Sequence, residues 1–501
     1  MLEGAGRTVT EGKRRVDPAL VWIMACALAL RLPIALFTVY HHADEIWQYI
    51  EPSYGLVTGE WIRTWDIRLG IRSWLIPLAM LPPVWLGHVL APNSELHLIL
   101  PRVAMAFASL GSVWAGWSLG FRVSRRHAVA AAFVAAIWVD FAYFAPRTSS
   151  DTFSALAILP GFALLARFRD DPDARWAFWG GLLLGLGFIT RFPLGPALAI
   201  PFVWAGRFDI RKAWAPLLSG AACGIGFDIL ANAAMGQPPL QWIYNNVFAN
   251  VVAQRSHAYG VEAADWYLRV LAWQWQYIAI AFVPALVFGA RRYPVLLATA
   301  LAVIAVHSAI SHKEYRFILL AVLLLVLLAA IGSVDFLDWC RARGGSGARR
   351  GGLPLILGLW TAASVQVAAS EPFVINWGVG KAPLRAMRTV RAHAGLCGMA
   401  TYRVRDVPFV SRAVLNRDVP TLLIDGPDAA TRASEARGRF NVVVVPAEHM
   451  RELPQDYRFI GCMSPRKPMF EQQYCVLARA GSCTEPAGDL DYNAVLQRLD
   501  K

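Results

Sequence analysis

The sequence predicts an all-α polytopic membrane protein with a small soluble α/β part at its C-terminal end, and three observations lead there. Of 501 residues, 56% are hydrophobic and only 17% charged, with a mean hydropathy of +0.42. That is too apolar for a water-soluble chain of this length, which excludes a cytosolic enzyme and a disordered scaffold. Apolar runs long enough to cross a bilayer recur along the chain. After about Ser370 the composition becomes that of an ordinary soluble protein, with strand-like runs Thr421–Ile424 and Asn441–Val445 each followed by turn residues.

Lys13, Arg14 and Arg15 precede the first apolar run, Ala19–Tyr40. At 1.5 Å per residue it can span a hydrocarbon core of roughly 30 Å. No cleavage site of the A-x-A kind interrupts it, so it reads as a retained signal anchor with residues 1–17 in the cytoplasm. Further runs near 97–121, 127–145, 152–168, 176–190, 193–206, 214–235, 271–290, 294–310, 317–333 and 353–370 bring the total to about eleven predicted spans. The run Ile71–Leu90 holds Pro77, Pro82 and Pro83 and fits either a crossing or a segment lying along the surface.

Charge parity chooses the second option for Ile71–Leu90. If it does not cross, the clusters Arg122/Arg125/Arg126, Arg167/Arg169/Arg175, Arg207/Arg211/Lys212, Arg291/Arg292 and Arg341/Arg343/Arg349/Arg350 all share the side of Lys13. The formal net charge of +13 is then mostly a topology signal, and a nucleic-acid partner is not expected. The predicted plan is a transmembrane unit over 18–370, whose outer loop 41–96 carries juxtamembrane helices, followed by an extracytoplasmic α/β domain over 371–501. Cys397, Cys462, Cys475 and Cys483 fall in that last part, where an oxidising compartment would let them pair in one of three ways. The plain alternative is four unpaired buried thiols.

The same parity gathers the unusual polar residues on the outer face. Directly after the first span come His41, His42, Asp44, Glu45, Gln48 and Glu51, a cluster that is expensive at a membrane surface unless used. On an α-helix Asp44, Gln48 and Glu51 would share a face; the bland alternative is a first turn whose acids favour a helix N-terminus. Thr64-Trp65-Asp66 and Gly70-Ile71-Arg72-Ser73-Trp74-Leu75-Ile76-Pro77 follow. There Arg68 and Arg72 suit a phosphate or, equally, lipid headgroups. His307, Ser308 and the turn Ser311-His312-Lys313-Glu314-Tyr315-Arg316-Phe317 place cations where the positive-inside rule disfavours them. An anionic ligand explains them, and a salt-bridged turn is the alternative. Arg147-Thr148-Ser149-Ser150-Asp151 forms another short outer turn, and Arg191 lies where two spans meet. His41 and His42 are adjacent, and no second pair has zinc-site spacing.

Three of these motifs, in order, resemble glycosyltransferase family 22: His42-x-Asp44-Glu45-x-x-Gln48, Thr64 to Pro77, and His312-Lys313-Glu314-x-Arg316-Phe317. The resemblance covers roughly 18–335. It implies a GT-C fold and an α-mannosyltransferase that uses a polyprenyl-phosphate mannose in assembling glycosylphosphatidylinositol anchors and lipid-linked oligosaccharides. By that resemblance Asp44 is the catalytic base and Glu45 orients the acceptor or Asp44. Arg72, Lys313 and Arg316, with Arg147 second, hold the donor phosphate, whose charge grows in the transition state. His42, Gln48, Trp65, Asp66, His312 and Glu314 contact substrate. The expected partners are the bilayer, the lipid donor and a glycolipid or glycan acceptor. Neither metal nor cofactor is expected. For a bacterial relative the resemblance implies the inner membrane, with the site on the periplasmic face.

Two other readings compete: a related transferase of a pentose or aminosugar to lipid A, polysaccharide or protein, and a lipid flippase. A transporter would more readily show repeat symmetry and mid-span charges. Here Asp140 and Asp228 are the main acids inside spans, and the rest cluster at one face.

Overall fold

The computed structural model describes residues 16–37, 40–206, 210–343, 352–404, 410–464 and 473–499. Lys13, Arg14, Arg15, Arg207, Arg349 and Arg350, all counted in the charge reading, lie outside the described residues. Among the described residues each predicted apolar run is largely helical. Among them six helices are long and apolar enough to cross a membrane: Pro18–Phe37, Leu96–Phe121, Ser150–Asp170, Lys212–Ala234, Tyr315–Arg343 and Gly352–Ala369. A seventh arises if the pair Trp266–Trp275 and Ile278–Arg292 counts as one span.

The remaining runs are shorter or broken, and the breaks have local causes. The 271–290 run turns by 110° between its two helices, where Gln276 takes a left-handed φ of 46°. The 127–145 run stops at Trp138, whose extended ψ of 133° ends helix Arg125–Ile137 and starts Val139–Phe144.

The bundle is held by close backbone approach rather than by bulk. A Cβ on Gly181 would lie 2.0 Å from the Leu217 carbonyl oxygen, and one on Gly220 would lie 2.0 Å from that of Phe178. Helices Ala174–Thr190 and Ala215–Ala234 therefore meet through small residues, as lipid-embedded helices do. At the centre helix Leu319–Arg343 is apolar on all sides from Leu319 to Ile331, and those residues are buried throughout.

Charge divides the bundle into two ends. Arg125 pairs with Asp17 at 2.7 Å, Arg122 with Asp170 at 2.5 Å, Arg126 with Asp338 at 2.9 Å and Arg292 with Asp335 at 2.9 Å. The 122–126 turn is thereby joined to the start of the first span and to the ends of Ser150–Asp170 and Leu319–Arg343, and the end of Ile278–Arg292 to Leu319–Arg343. The opposite end carries 40–50, 143–151, 190–194 and 311–318.

Segment 71–90 stays at that second end. At its start Ser73 donates to Asp228 and the Trp74 amide to Asn232. Beyond helix Leu75–Leu90, Asn416 of the C-terminal part donates to the Pro92 and Ser94 carbonyls at 2.6 and 3.0 Å. One end of the helix thus meets Asp228 and Asn232 of helix Ala215–Ala234, and the other meets the C-terminal part.

The C-terminal part is built on a mixed five-stranded sheet of order β2-β1-β3-β5-β4. Its strands are β1 Met399–Tyr402, β2 Thr421–Ile424, β3 Val442–Pro446, β4 Arg458–Met463 and β5 Tyr474–Ala478. β1 pairs in parallel with β2 and β3, and β5 runs antiparallel to β3 and β4. Cys462 faces Cys475 across β4 and β5 and is bonded to it; Cys397 is bonded to Cys483.

This part keeps one core to itself, with Tyr402, Leu422, Ile424, Phe440, Val443 and Val445 among its members, and shares a second. Ile46, Tyr49, Ile50, Tyr54, Ile76 and Met80 of the 41–96 segment bury against Met387, Val390, Val414 and Val476. Glu51 is fully buried between the two, accepting the amides of Ile62, Arg412 and Ala413 at 2.7, 2.9 and 2.8 Å.

Candidate active site

The 41–51 segment is where the sequence expectation and the fold part company. Residues Glu45–Ile50 form a π-helical turn rather than an α-helical one, which alters the angular spacing of side chains. Asp44 and Glu51 consequently diverge: Asp44 turns to the 311–318 turn, while Glu51 serves the C-terminal interface. Gln48 is buried between them.

Asp44 meets Arg316, whose Nη2 is 2.7 Å from its Oδ2, and His42, whose Nδ1 is 3.3 Å from the same oxygen. Burial by itself would raise the Asp44 pKa, but the charges of His42 and Arg316 outweigh it and hold the carboxyl well below the ordinary range. The effect on His42 is reciprocal: burial and Arg316 work against its cation, Asp44 and Glu314 favour it, and the net shift is upward.

Glu314 closes the ring, accepting from Arg316 Nε at 2.6 Å and meeting His312 Nε2 at 3.1 Å. With His42 and Arg316 beside it, Glu314 also stays well below its ordinary pKa despite burial. The hydrogen bond to Glu314 raises the pKa of His312, whose Nδ1 lies 3.1 Å from the Gly260 carbonyl.

Glu45 does other work. It is fully buried, with Oε1 taking the His41 and His42 amides at 2.5 and 3.2 Å and Oε2 taking the Thr148 amide at 3.0 Å. It thereby pins the start of the outer loop to the 144–150 turn and fixes where Asp44 stands. Arg147 is buried below it, its guanidinium 4.1 Å over the Tyr143 ring and its Nε donating to the Tyr143 carbonyl at 3.1 Å. The Tyr143 hydroxyl sits 3.1 Å from His41 Nδ1.

Arg72 stands at the rim with 26% side-chain exposure, its Nε 3.4 Å from Asp66 Oδ2. Burial opposes its charge, but Asp66, Tyr49 and Asp44 favour it and win. Asp66 is buried and also accepts the Ile67 amide, while Trp65 stacks on Tyr259 at 6.4 Å.

Lys313 is placed differently from its neighbours. Its Nζ donates to the Ile310 carbonyl of its own turn, so it stands apart from the Asp44 ring despite being next to Glu314 in sequence.

Two members of the constellation, Asp151 and Arg191, stood out in the sequence as outer-face polar residues but carried no assigned role. Asp151 lies 3.7 Å from Arg316 Nη1 and 2.7 Å from Arg191 Nε, and its side chain is 1% exposed. The outer-turn placement of Asp151 and the span-junction placement of Arg191 were the available signals; what joins them to Arg316 is tertiary.

The geometry has relatives. The curated proteins it resembles include "GPI mannosyltransferase 3" of Yarrowia lipolytica, 27% identical over 328 residues covering 62% of this chain and 61% of that one. The protein of the same name from Drosophila melanogaster is 25% identical, over 60% of this chain and 54% of its own. "Alpha-1,2-mannosyltransferase alg9" of Schizosaccharomyces pombe is 25% identical, over 64% and 59%. The matched region thus spans a little over half of each relative.

The crystal structure of ArnT from Cupriavidus metallidurans bound to undecaprenyl phosphate superposes with a TM-score of 0.60 at 14% identity, over 93% of this chain and 99% of that one. Its apo structure gives 0.58 at 13%. That likeness shows the fold, the GT-C arrangement expected from the sequence. Residues 22–394 match the Alg9-like mannosyltransferase family, and the chain belongs to it.

Proposed function

We propose that this chain is an inverting membrane mannosyltransferase that moves mannose from a polyprenyl-phosphate donor to a hydroxyl of a lipid-linked or glycan acceptor on the extracytoplasmic face. The observation that carries the reading is the state of Asp44. Among the described residues both of its side-chain ionic partners, Arg316 and His42, approach Oδ2, which leaves Oδ1 to take a proton. The group is ionised, 21% exposed, and within reach of the charge of Arg72.

In the proposed reaction the acceptor oxygen attacks the anomeric carbon while Asp44 takes its proton. The carbon–oxygen bond to phosphate breaks, its electron pair leaves on the phosphate, and a single displacement inverts the centre. Arg72 at the rim and Arg316 beside Asp44 stabilise the charge that grows on the phosphate. Glu45 sets the loop that presents Asp44. His42, Gln48, Trp65, Asp66, His312 and Glu314 surround the sugar and acceptor. Arg147 supports the floor, and Lys313 holds its own turn. The reading needs no metal or cofactor.

The sidedness rests on two features. The basic end lies opposite the site, as it would on the cytoplasmic side of the membrane. The two disulfides belong to an oxidising compartment.

A transport reading draws no support from the mid-span acids. Asp140 accepts from Trp138 and Tyr315 at 2.8 and 2.9 Å, and Asp228 from Ser73 and Trp242. Both tie elements together instead of lining a path.

The test is transfer by the purified protein in lipid vesicles, offered a panel of labelled polyprenyl-phosphate sugars. Mannose transfer with inversion at the anomeric carbon, read by NMR of the product, is expected. Transfer from a nucleotide sugar but from no lipid-phosphate sugar would defeat the reading.

A further inference from the structure

Asp151 and Arg191 stand behind Arg316 and take no part in the transfer described above. Asp151 opens helix Ser150–Asp170, and Arg191 follows the end of helix Ala174–Thr190. The Arg191 guanidinium also lies 4.4 Å over the ring of Phe317, the residue next to Arg316. Among the described residues neither oxygen of Asp151 has a hydrogen-bond donor in good geometry, although Arg191 Nε is 2.7 Å away. The attraction between Asp151 and the two guanidinium groups is therefore mainly charge on charge. A buried carboxylate without directional donors is costly, so its presence calls for a return.

The return lies in how Arg316 is shared. Glu314 holds its Nε and Nη2 at 2.6 and 3.1 Å, Asp44 holds Nη2 at 2.7 Å, and Asp151 faces Nη1 at 3.7 Å. One guanidinium thus serves three carboxylates, and Asp44 receives the share the other two leave. A base too strongly neutralised is a poor base.

We propose that Asp151, locked by Arg191, is a positioning residue that draws Nη1 of Arg316 inward and so limits the positive charge that Asp44 meets. This rests on the reading of Asp44 as the base. Besides Arg316, the charged or titratable groups facing Asp44 are His42, Arg72, Tyr49 and Asp151 itself; those facing Asp151 are Arg191, Glu314, Asp44, Tyr49 and Tyr267. Asp151 and Arg191 take no part in the proposed transfer, so changing them leaves the reacting groups in place.

The sign of the effect makes the proposal testable. Asp151→Asn removes an anion and leaves more of Arg316 to Asp44, so the Asp44 titration should move to lower pH. Arg191→Gln removes a cation and frees Asp151 to take more of Arg316, so the titration should move to higher pH. Infrared difference spectroscopy of the full-length protein, with the Asp44→Asn spectrum identifying the band, reads both shifts without turnover.

In steady-state assays with polyprenyl-phosphate mannose, Asp151→Asn should lower kcat roughly tenfold while the donor KM changes by no more than about twofold. Asp151→Glu should restore most of kcat. Opposite displacements for the two variants support the proposal. Displacements of the same sign, or none, overturn it and leave Asp151 a packing residue, as does a parallel loss of kcat and donor affinity that Asp151→Glu fails to rescue. If Asp151→Asn does not fold, an Arg191→Gln titration that stays in place or moves down overturns it alone. If Asp44→Asn keeps wild-type transfer, the base assignment fails, while the infrared titrations still decide whether Asp151 governs the charge on Asp44.

Discussion

The two ends of the bundle use the same residue types to opposite purposes. At the basic end cations outnumber acids and the pairs face solvent: Arg126 and Asp338 are 44% and 45% exposed. At the site end three carboxylates crowd one guanidinium that is 6% exposed. Exposed pairs contribute little, about 0–1 kcal/mol, because water screens them. Buried ones carry a desolvation cost that often exceeds the coulombic gain. Under the proposed topology the basic end serves orientation in the membrane rather than stability. The site end calls for a function, because stability gives no reason to build it.

The sharpest way to break that contrast is Asp44→Asn, which keeps shape and removes the base. Transfer should fall by about 10²- to 10⁴-fold with donor KM nearly unchanged, measured by steady-state kinetics; near-normal turnover would leave the site end without its chemistry. The pH profile sharpens the same point. Because His42 and Arg316 hold Asp44 ionised below the ordinary carboxylate range, the acid limb of kcat/KM should lie below that range. His42→Ala removes a cation, so the limb should move up; a limb that stays put would detach His42 from the base.

Within the site end, Arg316 and Lys313 should behave unequally. Arg316→Lys keeps the charge but loses the fork, and should cost about 2–3 kcal/mol of transition-state stabilisation. Lys313→Ala touches a side chain bonded to its own turn and should change the rate by less than about fivefold. Equal losses in the two variants would mean that the turn acts as one knot and that the placement of Lys313 misleads.

The seam between the site and the C-terminal part comes next. Glu51→Ala strands three buried amide donors, of Ile62, Arg412 and Ala413, and should destabilise the protein by about 1–3 kcal/mol. Burial raises the Glu51 pKa against the pull of those amides. Its contribution is thus fully present below the unfolded carboxyl's pKa and declines as pH rises through the folded one. Comparing the melting temperature of wild type and Glu51→Gln across pH checks the sign: a gap that widens toward alkaline pH contradicts it.

Periodic and short-range features were legible from the chain. The apolar runs became helices, and strands 421–424 and 441–445 were read to within a residue. The sequence reading missed β1, β4 and β5, whose short runs carry little pattern of their own. It also treated several runs as full spans that the structure breaks at Trp138 and Gln276, because a single unusual backbone angle leaves no trace in hydropathy. The α-helical face assumed for Asp44, Gln48 and Glu51 gave way to a π turn. The core that 41–96 shares with the C-terminal part was not legible, since the residues of 41–96 that bury there look like any interfacial helix. Asp151 and Arg191 join the site only through contacts across three helices, which no local motif encodes.

The smallest expected effect lies back at the basic end and completes the comparison. Arg126→Ala breaks the pair with Asp338, whose Oδ1 also lies 3.8 Å from Arg341. Asp338 therefore keeps a cation nearby, and both partners already face water. The loss should be no more than about 0.5–1 kcal/mol by thermal unfolding in detergent, shrinking as salt is raised. Transfer should stay within about twofold of wild type, because this end touches no reacting group and any coupling to the site must pass along helix Leu319–Arg343, whose packing the change leaves alone. Adding Arg125→Ala, which breaks the pair with Asp17, should lower correct insertion more than stability, because orientation follows the summed positive charge of short inner loops. Protease protection in sealed vesicles reads insertion separately from melting. A loss of several kcal/mol in the single variant, with insertion unchanged, would show the basic end to be a structural clamp and erase the distinction between the two ends.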